Sequence, residues 1–422
     1  MSLFPAPKRL LRGTVDRLCI GGVLPIVVLL AAAGGAFGQG EDARWNKLEA
    51  TPESRAYKEA MSAGGAFDAK AREFFEKAAL PQLALDANRS TIERVRKRMR
   101  EFLLGDIANE KSAEEASKAC LAFMESLAGK DEADPVVRVN AMLLIGELQG
   151  RDRKPFQPAA TVLAQAVSDA KLSKAVRIAA CVGMARHVEA TKGLVDEQQR
   201  MATVATPAIL AVLKEPTPPG AAVENDWLAS RCLSMLPLLG PVTPEMTAAV
   251  VQILGDSSRS INLRVRAAAV LAAVARPDSQ VDAVAVIKAI DELARVSLDR
   301  DRAAGDRLQL DRQASDATGQ SARSNAVAGQ PPAEPLLPSE VCRRAAWRLD
   351  VLADSILTAD SKRGLALLDG EPSPGSQRLS QRLRRAAMDL DAAPDETTLR
   401  QALKSLAPEA SADEGAEEKP AA

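Results

Sequence analysis

This chain of 422 residues has one histidine, His187, and its isolation limits the metal and acid–base chemistry on offer. A zinc site or a nucleophile–base pair needs several converging donors, and there is no second imidazole to contribute. His187 also falls in the last core-facing slot of an amphipathic helix, where a packed side chain is the simpler reading than a catalytic one. Cysteine is the next reactive type. Cys120, Cys181, Cys232 and Cys342 are separated by 61, 51 and 110 residues, unlike any metal-binding or redox spacing. Cys181 and Cys232 occupy helical core positions, where cysteine serves as a small apolar side chain. All four are expected to be buried free thiols, although a bridge becomes geometrically open if Cys181 and Cys232 lie on adjacent helices. Gly-rich phosphate loops, nucleophile elbows and haem-attachment motifs are absent. The 56 acidic residues leave room for a carboxylate pair in a groove without nominating one. No catalytic residue, metal or cofactor is therefore assigned.

Basic residues give the one dense charge cluster: Arg94, Arg96, Lys97, Arg98 and Arg100, with Arg89 just ahead. Ser90-Thr-Ile-Glu93 offers a capping box for the helix that carries them, running to about Leu104. A solvated face is the plain reading; contact with anionic lipid headgroups or an acidic partner is the sharper one, since the cluster closely follows the N-terminal segment. The whole chain does not favour nucleic acid: its net charge is −1 and aromatics make up 3%, leaving few platforms for stacked bases.

The elements that position these residues follow from a recurring apolar pattern. Val137 is followed at 4, 7, 8 and 11 residues by Ala141, Leu144, Ile145 and Leu148, which share one helical face. Val176 gives Ala180, Gly183, Met184 and His187; Leu228 gives Cys232, Met235, Leu236 and Leu239; Leu263 gives Ala267, Val270, Leu271 and Val274. Val341 gives Ala345, Arg348, Leu349 and Leu352, with Arg348 off the pattern. All five place Ala or Cys four residues after the anchor, so a neighbouring helix can approach closely there. The anchors lie 39, 52, 35 and 78 residues apart, and such spacing marks a helical repeat array. Ahead of each anchor runs a second apolar segment, at 116–127, 159–167, 201–213, 246–254 and 281–298, so each repeat reads as a helix pair.

Asp134-Pro135 opens a helix with Val137-Arg138 in its first turn, and the apolar-Arg step returns at Val176-Arg177 and Leu263-Arg264. On these residues the segment 112–356 resembles the HEAT-repeat proteins. The resemblance implies an all-α fold, an α-solenoid of about five antiparallel helix pairs. It also implies that Arg138, Arg177 and Arg264 sit between stacked pairs, bonded to neighbouring helix ends or acids. Leu228-Ala229 and Val341-Cys342 lack the arginine, so the third and fifth repeats are degenerate.

Around the array the chain divides by composition. Residues 1–38 carry Lys8, Arg9, Arg12 and Arg17 before an uncharged run beginning at Cys19, with Ala36 and Gly38 placed for cleavage before Gln39. They read as a signal peptide, with an uncut membrane anchor through 19–38 as the rival, and either exports the rest to the periplasm or beyond. Residues 39–111 form a loosely held lead-in followed by a helical cap, and 112–299 hold the repeats. Residues 300–335, with five basic and five acidic residues, are expected to be a disordered insert, either tolerated or a partner-binding arm. Residues 336–407 supply the last repeat helix and a C-terminal cap, and the acidic tail 408–422 is expected to be disordered.

The resulting expectation is an exported, non-catalytic protein-interaction scaffold of the cell envelope, binding an unidentified protein along its concave surface. Two alternatives stand beside it: a HEAT-like enzyme or enzyme subunit with a site in the groove, and a membrane-surface protein held by the uncut N-terminal segment and the basic helix.

Overall fold

The computed structural model describes residues 43–150, 154–217, 222–276, 281–318, 338–368 and 370–406. The expected signal segment 1–38 and the acidic tail 408–422 lie outside them. The described residues are helical throughout, apart from connecting turns and one isolated bridge between Gln149 and Pro155. No helix among them is long and apolar enough to cross a membrane. The chain separates into two compact units, 1–144 and 145–422.

The first unit contains α1 (Ala43–Glu49), α2 (Pro52–Ser62), α3 (Ala69–Glu73), α4 (Ile92–Leu104), α5 (Glu110–Gly129) and all but the last residue of α6 (Pro135–Ile145). A π-turn and two 3-10 turns fill the interval between α3 and α4. Residues expected to be a loose lead-in are folded, because aromatic rings anchor them. Tyr57 packs against Phe74, Phe75 and Phe102 with ring centroids 5.3, 6.1 and 6.5 Å away, and its hydroxyl donates to the Leu103 carbonyl at 2.9 Å. Trp45 and Met61 are buried beside them. Thr51 caps α2 by accepting from the Ser54 amide, with Pro52 at the first helical position, a pairing that favours a helix start.

One expected cap is not made. Ser90 lies inside a 3-10 turn, and Thr91 at the N-cap of α4 makes no side-chain capping bond. The chain enters α4 already coiled, which leaves no free first turn for a capping box. Asn109 caps α5 by accepting from the Ser112 amide at 3.1 Å. The Ser112 hydroxyl donates to the Gly65 carbonyl at 2.9 Å and accepts from the Phe67 amide at 3.1 Å. Asn88, within a glycosylation-type triplet, is buried and donates to the Gln82 carbonyl, so it is not presented for modification.

The second unit contains α7 (Gln157–Ser168), α8 (Lys174–Ala190), α9 (Val195–Lys214), α10 (Ala222–Leu239), α11 (Pro244–Gly255), α12 (Ile261–Val274), α13 (Ala283–Thr318), α14 (Pro338–Ile356), α15 (Pro374–Ala392) and α16 (Glu396–Ser405). Helices α7, α9, α11 and α13 pack successively on one another, as do α8, α10, α12 and α14. Each row also contacts the other within the pairs α7–α8, α9–α10, α11–α12 and α13–α14. The four anchors here, Val176, Leu228, Leu263 and Val341, are buried, as are the small residues four positions on. Ala180, Cys232, Ala267 and Ala345 are fully buried, consistent with close helix approach at those points. Pro207 lies inside α9. Thr243 caps α11 ahead of Pro244 and Glu245. Ser339 lies within the first turn of α14, which begins at Pro338.

The largest departure concerns the expected disordered insert at 300–335. Its first half continues α13 as helix through Thr318. Asp301 is buried there against arginines of α14, so this segment is anchored by ion pairs where its composition lacks apolar groups. The remainder, 319–335, lies outside the described residues. At the C-terminus α15 lays Leu383, Ala386, Ala387 and Leu390 into the core and packs on α14.

Candidate functional site

The three arginines of the repeat pattern share one local geometry. Arg138 Nε donates to the Ala128 carbonyl at 2.9 Å, Arg177 Nε to Val167 at 2.9 Å and Arg264 Nε to Leu254 at 2.8 Å. Each acceptor lies ten residues earlier and is the next-to-last residue of the first helix in that pair. A helix leaves its last four carbonyls without internal partners, and the guanidinium satisfies one while meeting the negative end of the dipole. All three arginines are buried.

The outer nitrogens of Arg177 and Arg138 find different acids. Arg177 grips Glu215 with Nη1 at 3.0 Å and Nη2 at 2.6 Å, and Lys174 reaches the same carboxylate at 2.5 Å. Hydrogen bonds from Arg177, then Lys174, outweigh burial and hold the Glu215 carboxyl down at about 2. Arg138 Nη2 stands 3.0 Å from the exposed carboxylate of Asp131. Glu215 is the C-cap residue of α9, a position whose dipole disfavours a carboxylate. That local conflict was the available sequence signal for it.

Where the apolar-Arg step is missing, other arginines make the ties between helices. In the third pair Arg259, from the loop before α12, donates to the Glu215 carbonyl at 3.0 Å and to Asp226 at 3.1 Å. In the fifth, Arg348 is buried; it donates to Asn262 at 2.9 Å, Ser297 at 3.3 Å and Asp301 at 2.8 Å. Arg344 completes the pair with Asp301 at 2.8 Å. Sequence pattern treats Arg348 as an off-register residue; the structure makes it the tie between α12, α13 and α14.

The basic cluster is dispersed among internal partners. Arg96 donates to Asn140 at 2.9 Å, Arg98 lies 3.9 Å from Glu49, and Arg100 lies 3.8 Å from Glu101. Arg94, Lys97 and Arg98 are exposed on α4, whereas Arg96 and Arg100 are half-buried. Arg94 and Arg98 line a small cavity of about 50 Å³ with Trp45, Asn46, Asn88, Thr91 and Val95.

The chemistry-bearing residues of the second unit are inside. His187 is 2% exposed with neither ring nitrogen in hydrogen-bond geometry. Burial first, then the Arg186 charge, pushes it down to about 4, against a small opposing influence of the Gly146 backbone, so the ring is neutral and has no base partner. Cys181 and Cys232 are fully buried with sulfurs 3.9 Å apart. Among the described residues no cluster of His, Cys, Asp and Glu has metal-binding geometry.

Exposure on the second-helix row is partial and contains aromatic residues. Ile178 and Val182 of α8, Trp227 and Arg231 of α10, and Trp347 and Val351 of α14 are half-buried. The Arg231 guanidinium lies over the Trp227 ring, 4.8 Å from its centroid. Against protein-family models, curated proteins and solved structures the chain gives no match.

Proposed function

We propose that the chain is an exported α-solenoid acting as a non-catalytic protein-interaction scaffold of the cell envelope, with its docking surface on the row α8, α10, α12 and α14. The observation that carries the docking surface is the placement of tryptophan. The chain has three tryptophans, and two of them, Trp227 and Trp347, are half-buried on this row. A half-exposed tryptophan costs a soluble protein apolar exposure and is a recurrent anchor of protein interfaces. The solenoid reading is supported by the two rows of successive helix contacts and by the recurring arginine bond to a first-helix end. Such arrays bind along extended surfaces of stacked helices.

The test is crosslinking and affinity capture of the tagged chain from its own envelope fraction, beside the W227A/W347A variant. A near-stoichiometric protein retained by the parent chain and lost from a folded variant supports the reading. Equal retention by both removes the docking surface. Absence of any captured protein removes the scaffold.

A further inference from the structure

Cys181 of α8 and Cys232 of α10 bring two thiols to 3.9 Å in a place where neither touches solvent. The other two described cysteines have no such neighbour. Cys120 is buried alone, its thiol pushed up to about 12 by burial, and Cys342 directs its thiol to the Asp395 carbonyl. The paired helices belong to successive repeats and pack directly. A disulfide sets its sulfurs about 2.05 Å apart, so closure needs an approach of about 2 Å, shared between two rotating side chains and a small helix shift. Arg177 provides a nearby cation: its charge favours the Cys232 thiolate, although the bond to Cys181 and burial together raise that thiol well above its ordinary value.

We infer that Cys181 and Cys232 are a disulfide-forming pair that locks α8 to α10, closed by exchange with a disulfide oxidant. One thiol gives up its proton, and the thiolate attacks the oxidant's disulfide, forming a mixed disulfide and releasing one thiolate. The second cysteine, likewise deprotonated, attacks the protein sulfur of that mixed disulfide, forming the Sγ–Sγ bond and releasing the other half of the oxidant. The two electrons and two protons of the pair end on the oxidant as two thiols. Complete burial in the folded state means that exchange occurs while the chain folds or during a local opening of the α8–α10 contact. Once closed, the same burial shelters the bond from soluble reductants. The bond would close a loop across 51 residues, long enough to restrict the unfolded chain strongly. Its role is to hold consecutive helix pairs in register where the third repeat lacks the pattern arginine.

Only the place where the oxidant is met rests on the proposed export. The test uses the full chain with Cys19→Ala in every version, unfolded in reductant and refolded in a glutathione redox buffer, beside C120A/C342A, C181A and C232A variants. The expected result is a mass loss of about 2 Da in the parent chain and in C120A/C342A, with a Cys181–Cys232 cross-linked peptide and a thermal midpoint several degrees above that of the reduced chain. C181A and C232A are expected to keep their mass. Unchanged mass of folded C120A/C342A in excess oxidised glutathione overturns the inference, as does a cross-link mapping to another pair. Thiol trapping in cells separates the two readings. A bond that forms in the buffer but is absent in cells supports the pair's chemistry and counts against export.

Discussion

Gly146 and Gly183 meet backbone to backbone. A Cβ on Gly146 would stand 2.3 Å from the Gly183 Cα, and one on Gly183 would stand 2.7 Å from the Gly146 Cα and 2.8 Å from a Leu163 methyl. Backbone cannot move aside as a side chain can, so this crossing sets the distance between the chain after α6 and the helix α8. Gly146→Ala or Gly183→Ala is expected to destabilise by at least about 1–3 kcal/mol through overpacking. Gly255→Ala meets nothing within 4 Å and is expected to be neutral or slightly stabilising. Urea denaturation of the three variants checks this, and equal midpoints would contradict the crossing.

Arg177 joins three features: the end of α7, the C-cap of α9 and the buried face of α8. Removing it leaves the Val167 carbonyl unpartnered and Glu215 with only Lys174. Arg177→Ala is expected to cost about 3–5 kcal/mol, the usual loss on breaking a buried pair. Arg177→Lys should recover little, because an ammonium cannot bond the carbonyl and grip the carboxylate with a planar fork. Equilibrium unfolding measures both; a lysine variant as stable as the parent would show that charge alone suffices.

The helices were legible in the sequence because apolar spacing is a direct consequence of helix geometry. Segments such as 201–213 and 246–254 fall within α9 and α11, and all five anchors are buried. The polar ties were less legible. Arg177 was visible as part of a repeated step, whereas Asp226 and Arg259 pair across 33 residues with no motif to announce them. Composition misjudged residues 300–318, because it counts apolar side chains and cannot see a buried Asp301 paired with Arg348. The cap at Ser90 failed for a related reason: the motif fixes what a side chain is able to bond, and the preceding turn decides which amides are open.

Two titrations act in successive pH windows that meet near 4 to 4.5. Glu215 is held down from 4.5 to about 2, so its contribution is complete above 4.5 and is lost as pH falls through about 2. His187 is held down from 6.5 to about 4. The unfolded chain takes that proton first on acidification, so stability from the neutral ring is complete above 6.5 and is lost as pH falls to about 4. Between these limits the parent chain is expected to lose up to about 3 kcal/mol more than His187→Gln. Glu215→Gln should flatten only the more acidic limb, by about 1–3 kcal/mol after allowing for its partial exposure. Denaturant unfolding across the pH range reads both, and parallel curves for the parent and His187→Gln would contradict the first assignment.

Asp301 ties α13, beyond its apolar half, to α14. Its carboxylate lies 2.8 Å from both Arg344 and Arg348, with side-chain exposure of 3% for Asp301 and 7% for Arg348. Asp301→Ala strands the Arg348 charge in the interior and is expected to cost about 3–5 kcal/mol, whereas the apolar pair D301L/R348M restores most of that stability. The two variants differ in what they predict for the helix beyond. With the buried pair gone, the following turn keeps only weak exposed charges, and trypsin should cut at Arg302 and Arg307 sooner than in the parent chain. If the apolar replacement restores both stability and resistance, burial at position 301 holds the helix. If it restores stability alone, the directed bonds of Asp301 to Arg344 and Arg348 hold it, and proteolysis separates the two.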